Sequence, residues 1–310
     1  MCFPYLAALI ARMQVNVFFE YVLWSFVTII GFAGFAYTLN DLGDVSIDQK
    51  AKKDNAVLNL GTFKTVILLL FCLLVSLVPW LFLPHSKYSF LLLFLELCLF
   101  YLYALKPFRL KERGLLGLLC DALYAHCIPA VLAFYTFSDC NLESNKTLIL
   151  LVIVFFWQLM NGLRNIVFHQ LNDYNNDFAG GVNTWVKKRG LGMANIAAKG
   201  LLIAEAFSFL LFLVMLAFAF NISVLHIALL CFLCYLLIKH RNNLRNLSMN
   251  ELKFIFFDQF YLYWFPLLLL VLLLKIDLIY SVMFFIHFML FQNAIKPWLL
   301  FKINAFKKLF

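Results

Sequence analysis

Apolar residues run on in this chain for lengths that water does not tolerate. A helix needs about 20 mainly apolar residues to cross the hydrocarbon core of a bilayer. On that criterion spans are expected at 15–39, 63–84, 88–105, 115–137, 147–171, 194–220, 222–238, 255–274 and 276–292. The runs are continuous instead of alternating, which argues against a membrane β-barrel. The expected fold is an all-α integral membrane protein, a multi-helix bundle of about nine spans forming one polytopic domain over residues 1–310. Residues 1–14 are too few and too mixed to cross. Composition agrees: 65% of the residues are hydrophobic, 13% are charged, and the mean hydropathy is +0.91, outside the soluble globular range.

Basic residues orient the bundle. Taken in alternate loops, Lys50, Lys52, Lys53, Lys64, the group from Lys106 to Arg113, Lys187 to Arg189, Lys239 to Lys253 and the tail from Lys296 share one side. Lys87, Lys146, Lys275 and Arg12 share the other. The positive-inside rule makes the richer side cytoplasmic, and the reading is a bacterial inner-membrane protein. The net charge of +9 is then mainly a topology signal, with anionic lipid headgroups as its natural partner. Nucleic acid is not a partner, because the charge is spread over several loops and not gathered on one face. Met1 is followed by no charged n-region and no cleavage site, so no removable signal peptide is read. The eight cysteines fall mostly inside apolar runs and imply no disulfide framework; even the CxxC spacing at 231–234 reads as buried small hydrophobes.

Against this background the stretch "NDLGDVSIDQK" at 40–50 stands out, at the cytoplasmic end of the first span. If the helix continues through it, Asp41, Asp44 and Asp48 fall at i, i+3 and i+7 on one face, with Asn40 beside them. Three mutually repelling carboxylates on one face call for a cation. "HQLNDYNNDFAGGVNTW" at 169–185 follows the fifth span on the same side and sets Asp173 and Asp177 at i, i+4. Magnesium is a hard ion that binds through one or two carboxylates plus substrate phosphates. Two acidic sets facing across a cavity would hold two such ions around a diphosphate and stabilise it as a leaving group. Calcium suits the same ligands, but the spacing is not that of an EF-hand.

"NDLGDVSID", "DYNND" with its trailing "GGVNT", and between them "YALKPFRLKERG" at 103–114 together resemble the three motifs of the UbiA superfamily of intramembrane prenyltransferases, in order, over roughly residues 30–190. The resemblance implies a UbiA-like helical bundle around a central cavity open toward the bilayer, two magnesium ions, and transfer of a prenyl chain from a prenyl diphosphate to an acceptor. It implies that Asn40, Asp41, Asp44 and Asp48 hold one ion and Asp173 and Asp177 the other, and that Tyr103, Arg109 and Lys111 face the diphosphate. Arg offers phosphate oxygens a forked donor set and Lys a compact charge; ordinary topology charge is the competing reading of this loop. Lys106 stands where the family has a neutral residue before Pro and is read either way.

Other polar residues inside the spans do not follow from a diphosphate site. Asp121 and His126 lie in "DALYAHCIP", and Gln158, Asn161, Arg164 and Asn165 share a face of the fifth span. Ionisable groups in a span face a cavity or a partner. Two readings stand: Arg164 pairs with Asp121 as a structural bridge, or the cluster binds a polar acceptor whose proton goes to Asp121 or His126. Aromatic residues make up 18% of the chain, 37 of them Phe, and rings facing the prenyl tail can stabilise an allylic cation, though no single ring is picked out. The leading function is magnesium-dependent prenyl transfer to a lipophilic or aromatic acceptor. The runner-up is transfer of a phosphosugar onto a polyprenyl phosphate, supported by the cluster at Asn161 and Arg164. A transporter is the alternative from another class, disfavoured because the clustered acids all sit at one face instead of the midplane.

Overall fold

The structure is a computed structural model and describes residues 2–51, 54–138, 144–220 and 263–291. Among these residues every regular element is helical. They fall into two compact units, one of residues 1–18 and 220–310 and one of residues 19–219.

The smaller unit gathers α1 (Cys2–Ala11), α10 (Phe265–Leu273) and α11 (Ser281–Leu290). Helix α1 packs along α10, and the Tyr280 hydroxyl donates to the carbonyl of Met13 at 3.0 Å. The Phe18 ring lies 5.3 Å from that of Tyr280 and 5.9 Å from that of Tyr5.

The larger unit is built from α2 (Val15–Ala51), α3 (Ala56–Leu77), α4 (Lys87–Ala104), α5 (Leu115–Ala122), α6 (Ile128–Phe137), α7 (Asn145–Asn172), α8 (Tyr174–Gly180) and α9 (Trp185–Phe220). Helices α5 and α6 are joined through a π-helical turn, Leu123–Cys127, into one crossing. Six helices among the described residues are long and apolar enough to span: Val15–Gln49, Ala56–Leu81, Lys87–Ala104, Leu115–Phe137, Asn145–Asn172 and Trp185–Phe220. They correspond to the first six expected spans. The other three of the roughly nine expected spans fall wholly or partly outside the described residues or on a shorter helix. The run at 222–238 lies outside them, that at 255–274 lies partly outside, and that at 276–292 contains only a short apolar helix, Leu278–Leu290.

Local chemistry explains where the helices turn. Asn55 caps α3, accepting from the Val57 and Leu58 amides, as a side-chain oxygen does for orphan first-turn donors. Ser86 and Ser89 form a reciprocal cap at the start of α4, and Pro107 follows its end, where an X-Pro pair disfavours further helix. Apolar burial does not drive helices together in lipid, so close approach depends on small residues. Gly162 of α7 illustrates this: a Cβ there would lie 2.8 Å from both Cα and Cβ of Ala122, so only glycine lets α7 and α5 touch. Phe32, Leu39, Leu93, Phe100, Ala104 and Leu132 belong to one buried cluster.

Candidate active site

Helix α2 runs unbroken for 37 residues, about 55 Å at 1.5 Å per residue, so the acidic stretch is helical as the spacing requires. Its face of Asn40, Asp44 and Asp48, together with Asp173 and Asp177 beyond α7, lines a single cavity of about 800 Å³. Thus the structure brings the two acidic sets together. Lys111, Tyr103 and Asp121 line the same space, with Phe100, Tyr124, His169, Gln170, Asn176 and Thr184.

Asp41 is placed differently. It is not among the lining residues; its carboxylate accepts from the Ala56 amide at 3.3 Å and its carbonyl from Asn55 Nδ2 at 2.8 Å. The same Asn55 side chain donates to Asp48 Oδ2 at 2.8 Å. Asn55, buried, therefore orients Asp48 from outside the cavity while starting α3.

The loop after α4 is fixed by Arg109. Its Nε donates to Glu112 Oε1 at 2.6 Å, Nη1 to the carbonyls of Gly43 at 2.6 Å and Ala104 at 3.4 Å, and Nη2 to Asp44 Oδ1 at 2.6 Å. Arg109 is 6% exposed, has a left-handed φ of 40°, and does not line the cavity. A strained non-glycine backbone persists only where its surroundings over-determine it, and these bonds do so. Gly43 makes the approach possible, since a Cβ there would lie 2.4 Å from the Ala104 carbonyl. Burial opposes the guanidinium charge, but the bonds to Glu112 and Asp44 outweigh it and raise its pKa. Arg109, expected to face the diphosphate, thus fastens the loop to α2. It delivers Lys111, whose Nζ donates to Asp44 Oδ2 at 2.6 Å and Asn40 Oδ1 at 2.8 Å. Burial lowers the Lys111 pKa, with Asp44 pulling the other way. Lys106 is exposed, does not line the cavity and precedes a cis proline bond.

On the opposite side, Asp173 caps the end of α7 and faces His169, with 3.5 Å between His169 Nε2 and Asp173 Oδ2. Asp177 Oδ2 accepts from the Thr184 hydroxyl at 3.0 Å. Burial raises the Asp177 pKa, and the Thr184 bond partly offsets it. Lys188 Nζ reaches the Glu112 carbonyl at 2.7 Å, linking the loops that carry Lys111 and Asp177.

The aromatic wall comes from α4 and the π-turn. The Tyr124 ring stands edge-on to Phe100 at 4.8 Å and to Tyr103 at 5.3 Å, and its hydroxyl donates to Asp121 Oδ1 at 2.6 Å. The expected bridge between Arg164 and Asp121 is absent: Arg164 instead binds Glu205 of α9 through Nε and, at 3.0 Å, Nη2, with both side chains fully buried. Asn161 and Asn165 accept from Arg164 at 3.0 and 3.2 Å. His126 lies 3.4 Å from Asn161. None of Arg164, Glu205, Asn161, Asn165 and His126 lines the cavity.

The donor set suits magnesium in kind: carboxylate and amide oxygens converge on one space, with no sulfur ligand among the described lining residues. No group of three or more His, Cys, Asp or Glu side chains capable of holding a metal occurs among the described residues. Both oxygens of Asp44 are engaged by Arg109 and Lys111. A magnesium ion bound here would accordingly take one or two carboxylates, with the Asn40 amide oxygen beside them, and its other ligands from phosphate and water.

The sequence matches the UbiA prenyltransferase family over residues 1–263. This chain belongs to that family. Two solved UbiA homologues from Archaeoglobus fulgidus share its fold. One, bound to GPP and Mg2+, is 17% identical with a TM-score of 0.51, the match covering 93% of each chain. The other, bound to DMAPP and Mg2+, is 16% identical with a TM-score of 0.54, covering 89% of this chain and 93% of that one. No curated protein matches the sequence. The UbiA assignment accounts for the helical bundle and for the order of the acidic motifs.

Proposed function

We propose that this protein is a magnesium-dependent intramembrane prenyltransferase that moves a prenyl group from a prenyl diphosphate to a lipophilic or aromatic acceptor, with the active-site loops on the cytoplasmic side. The observation that carries the proposal is one cavity lined by Asp44, Asp48, Asp173, Asp177 and Lys111 together with the rings of Phe100, Tyr103 and Tyr124. The prenyl diphosphates and Mg2+ bound to the two archaeal homologues favour the same donor here.

Two ions fit the two acidic sets. Asn40, Asp44 and Asp48 would hold one, and Asp173 and Asp177 the other. Magnesium, when bound, supplies the positive charge that makes diphosphate a good leaving group. Lys111 adds a compact cation on the same side of the cavity. Arg109 keeps that lysine and Asp44 in register. The rings of Phe100, Tyr103 and Tyr124 line the space in which the prenyl carbon becomes positive, and the spans keep water from capturing it. The phosphosugar alternative rests on Asn161 and Arg164, which do not line the cavity, and so has no support from the site.

The test is release of diphosphate from GPP or DMAPP by the purified protein in detergent, with and without magnesium, together with a mass comparison of lipids from cells with and without the gene. Magnesium-dependent release and an isoprenoid mass increment, both lost in Asp173→Ala, are expected. Activity retained in both Asp44→Ala and Asp173→Ala would remove the two-ion site, and absence of either signal from the wild type would return the transporter reading.

A further inference from the structure

Asp121 has no part in holding the donor as described above. It lies within the span Leu115–Phe137, lines the cavity, and forms no ion pair among the described residues. The side chain that could have neutralised it, Arg164, is committed to Glu205. A carboxylate inside a bilayer is costly and normally marks a functional path. A purely structural acid would be expected to carry a cation or a full set of donors. Asp121 has one described hydrogen bond, from Tyr124 to Oδ1 at 2.6 Å.

The surroundings fix that bond. The Tyr124 ring is held edge-on between Phe100 and Tyr103, so its hydroxyl position is set by ring packing. The chain there widens into the π-helical turn Leu123–Cys127, a form that recurs at functional sites. Immediately before it, Ala122 packs closely on Gly162 of α7, so the backbone between Asp121 and Tyr124 is backed by that helix. His126, the other candidate base, belongs to the polar group at Asn161 and does not line the cavity.

We propose that Asp121 is the acceptor-side general base of the transfer, acting on a hydroxyl-bearing acceptor, and that Tyr124 is the positioning residue that holds its carboxylate. The inference rests on the prenyl diphosphate reading of the same cavity. In the step, the bond between prenyl C1 and the bridging oxygen breaks, and its electron pair leaves with diphosphate. The acceptor oxygen forms the new bond to C1, and its proton passes to Asp121 Oδ2, the oxygen that Tyr124 does not hold. Tyr103 and Phe100 line the same cavity as Asp121.

The experiment separates the two sides of the reaction. GPP labelled with 18O in the bridging position reports bond breaking by scrambling of the label into non-bridging positions, with no acceptor required. Transfer is read as product formed from a detergent-dispersed lipid extract of the expressing cells. Asp121→Asn is expected to keep scrambling within about 3-fold of wild type while transfer falls about 100-fold or more, the range for loss of a general base. Tyr124→Phe is expected to lower kcat for transfer about 10-fold at unchanged donor KM, the behaviour of a residue that only aligns the base. If Asp121→Asn loses scrambling along with transfer, or keeps both, the assignment is overturned. Should Asp121→Asn not fold, Tyr124→Phe carries the test, and unimpaired transfer in it overturns the pair. A wild-type protein that neither scrambles nor transfers removes the donor reading itself, a result distinct from the other two.

Discussion

Lys111 Nζ lies 2.6 Å from Asp44 Oδ2, and Arg109 Nη2 lies 2.6 Å from the other oxygen of the same carboxylate. Asp44 therefore neutralises two buried cations before it can serve any metal. Removing it strands Lys111 and leaves Arg109 with Glu112 as its counter-charge, and breaking a buried pair from one side costs about 3 kcal/mol or more. Asp44→Ala is expected to lower both turnover and thermal stability in detergent, whereas Asp173→Ala, whose partner His169 is exposed, lowers turnover alone. Equal melting temperatures for the two variants would contradict this.

Asn55 joins the Asp48 carboxylate to the start of α3. Asn55→Ala is predicted to cost about 1 kcal/mol, as lost N-caps do, and also to weaken magnesium binding, because Asp48 loses the donor that aims it. A magnesium titration beside a thermal melt checks both; stability loss with unaltered titration would limit Asn55 to capping.

Metal and diphosphate should bind as a unit. With no group of three or more His, Cys, Asp or Glu ligands among the described residues, magnesium alone is expected to bind weakly, at about millimolar strength, and at least 10-fold more tightly once inorganic diphosphate supplies further oxygens. Calorimetry with each component in turn measures the coupling, and by reciprocity EDTA must weaken diphosphate by the same factor. Tight magnesium binding without diphosphate is the outcome that counts against it.

Glu205 and Arg164 are fully buried against each other. Glu205→Gln leaves the guanidinium without that counter-charge, and a loss of about 3–5 kcal/mol is expected, read as poor recovery of folded protein from membranes. Glu205→Gln protein with wild-type thermal stability would disprove the clamp.

The fold and the acidic face were legible because each rests on periodicity: apolar runs of bilayer length, and acids repeating at helical spacing in α2. What stayed hidden depends on partners that leave no mark in sequence. Arg109 has the chemistry of a phosphate ligand, but its acceptors include the backbone carbonyls of Gly43 and Ala104, which any residue type would present. Arg164 and Glu205 are 41 positions apart, and nothing in either segment favours that pairing over Asp121. Asp41 shares the acidic face by spacing, yet it sits on the edge toward α3 and meets Ala56. Tyr124 is one of 13 tyrosines, and only the packing of three rings singles it out. Asn55 was readable in principle, as an Asn directly before an apolar helical run is a cap signal.

The length of α2 has a bearing on the membrane itself. Because Asn40, Asp44 and Asp48 stand on the same unbroken helix that crosses the lipid, no joint isolates the acids from the bilayer. A helix longer than the hydrocarbon layer accommodates a change in thickness by tilting, and a tilt of this one swings all three residues together relative to Asp173 and Asp177. Acyl-chain length and sterol content thereby become variables of the gap between the two acidic sets, so that activity assayed in a short-chain detergent and in native membranes reports on two different spacings of the same site.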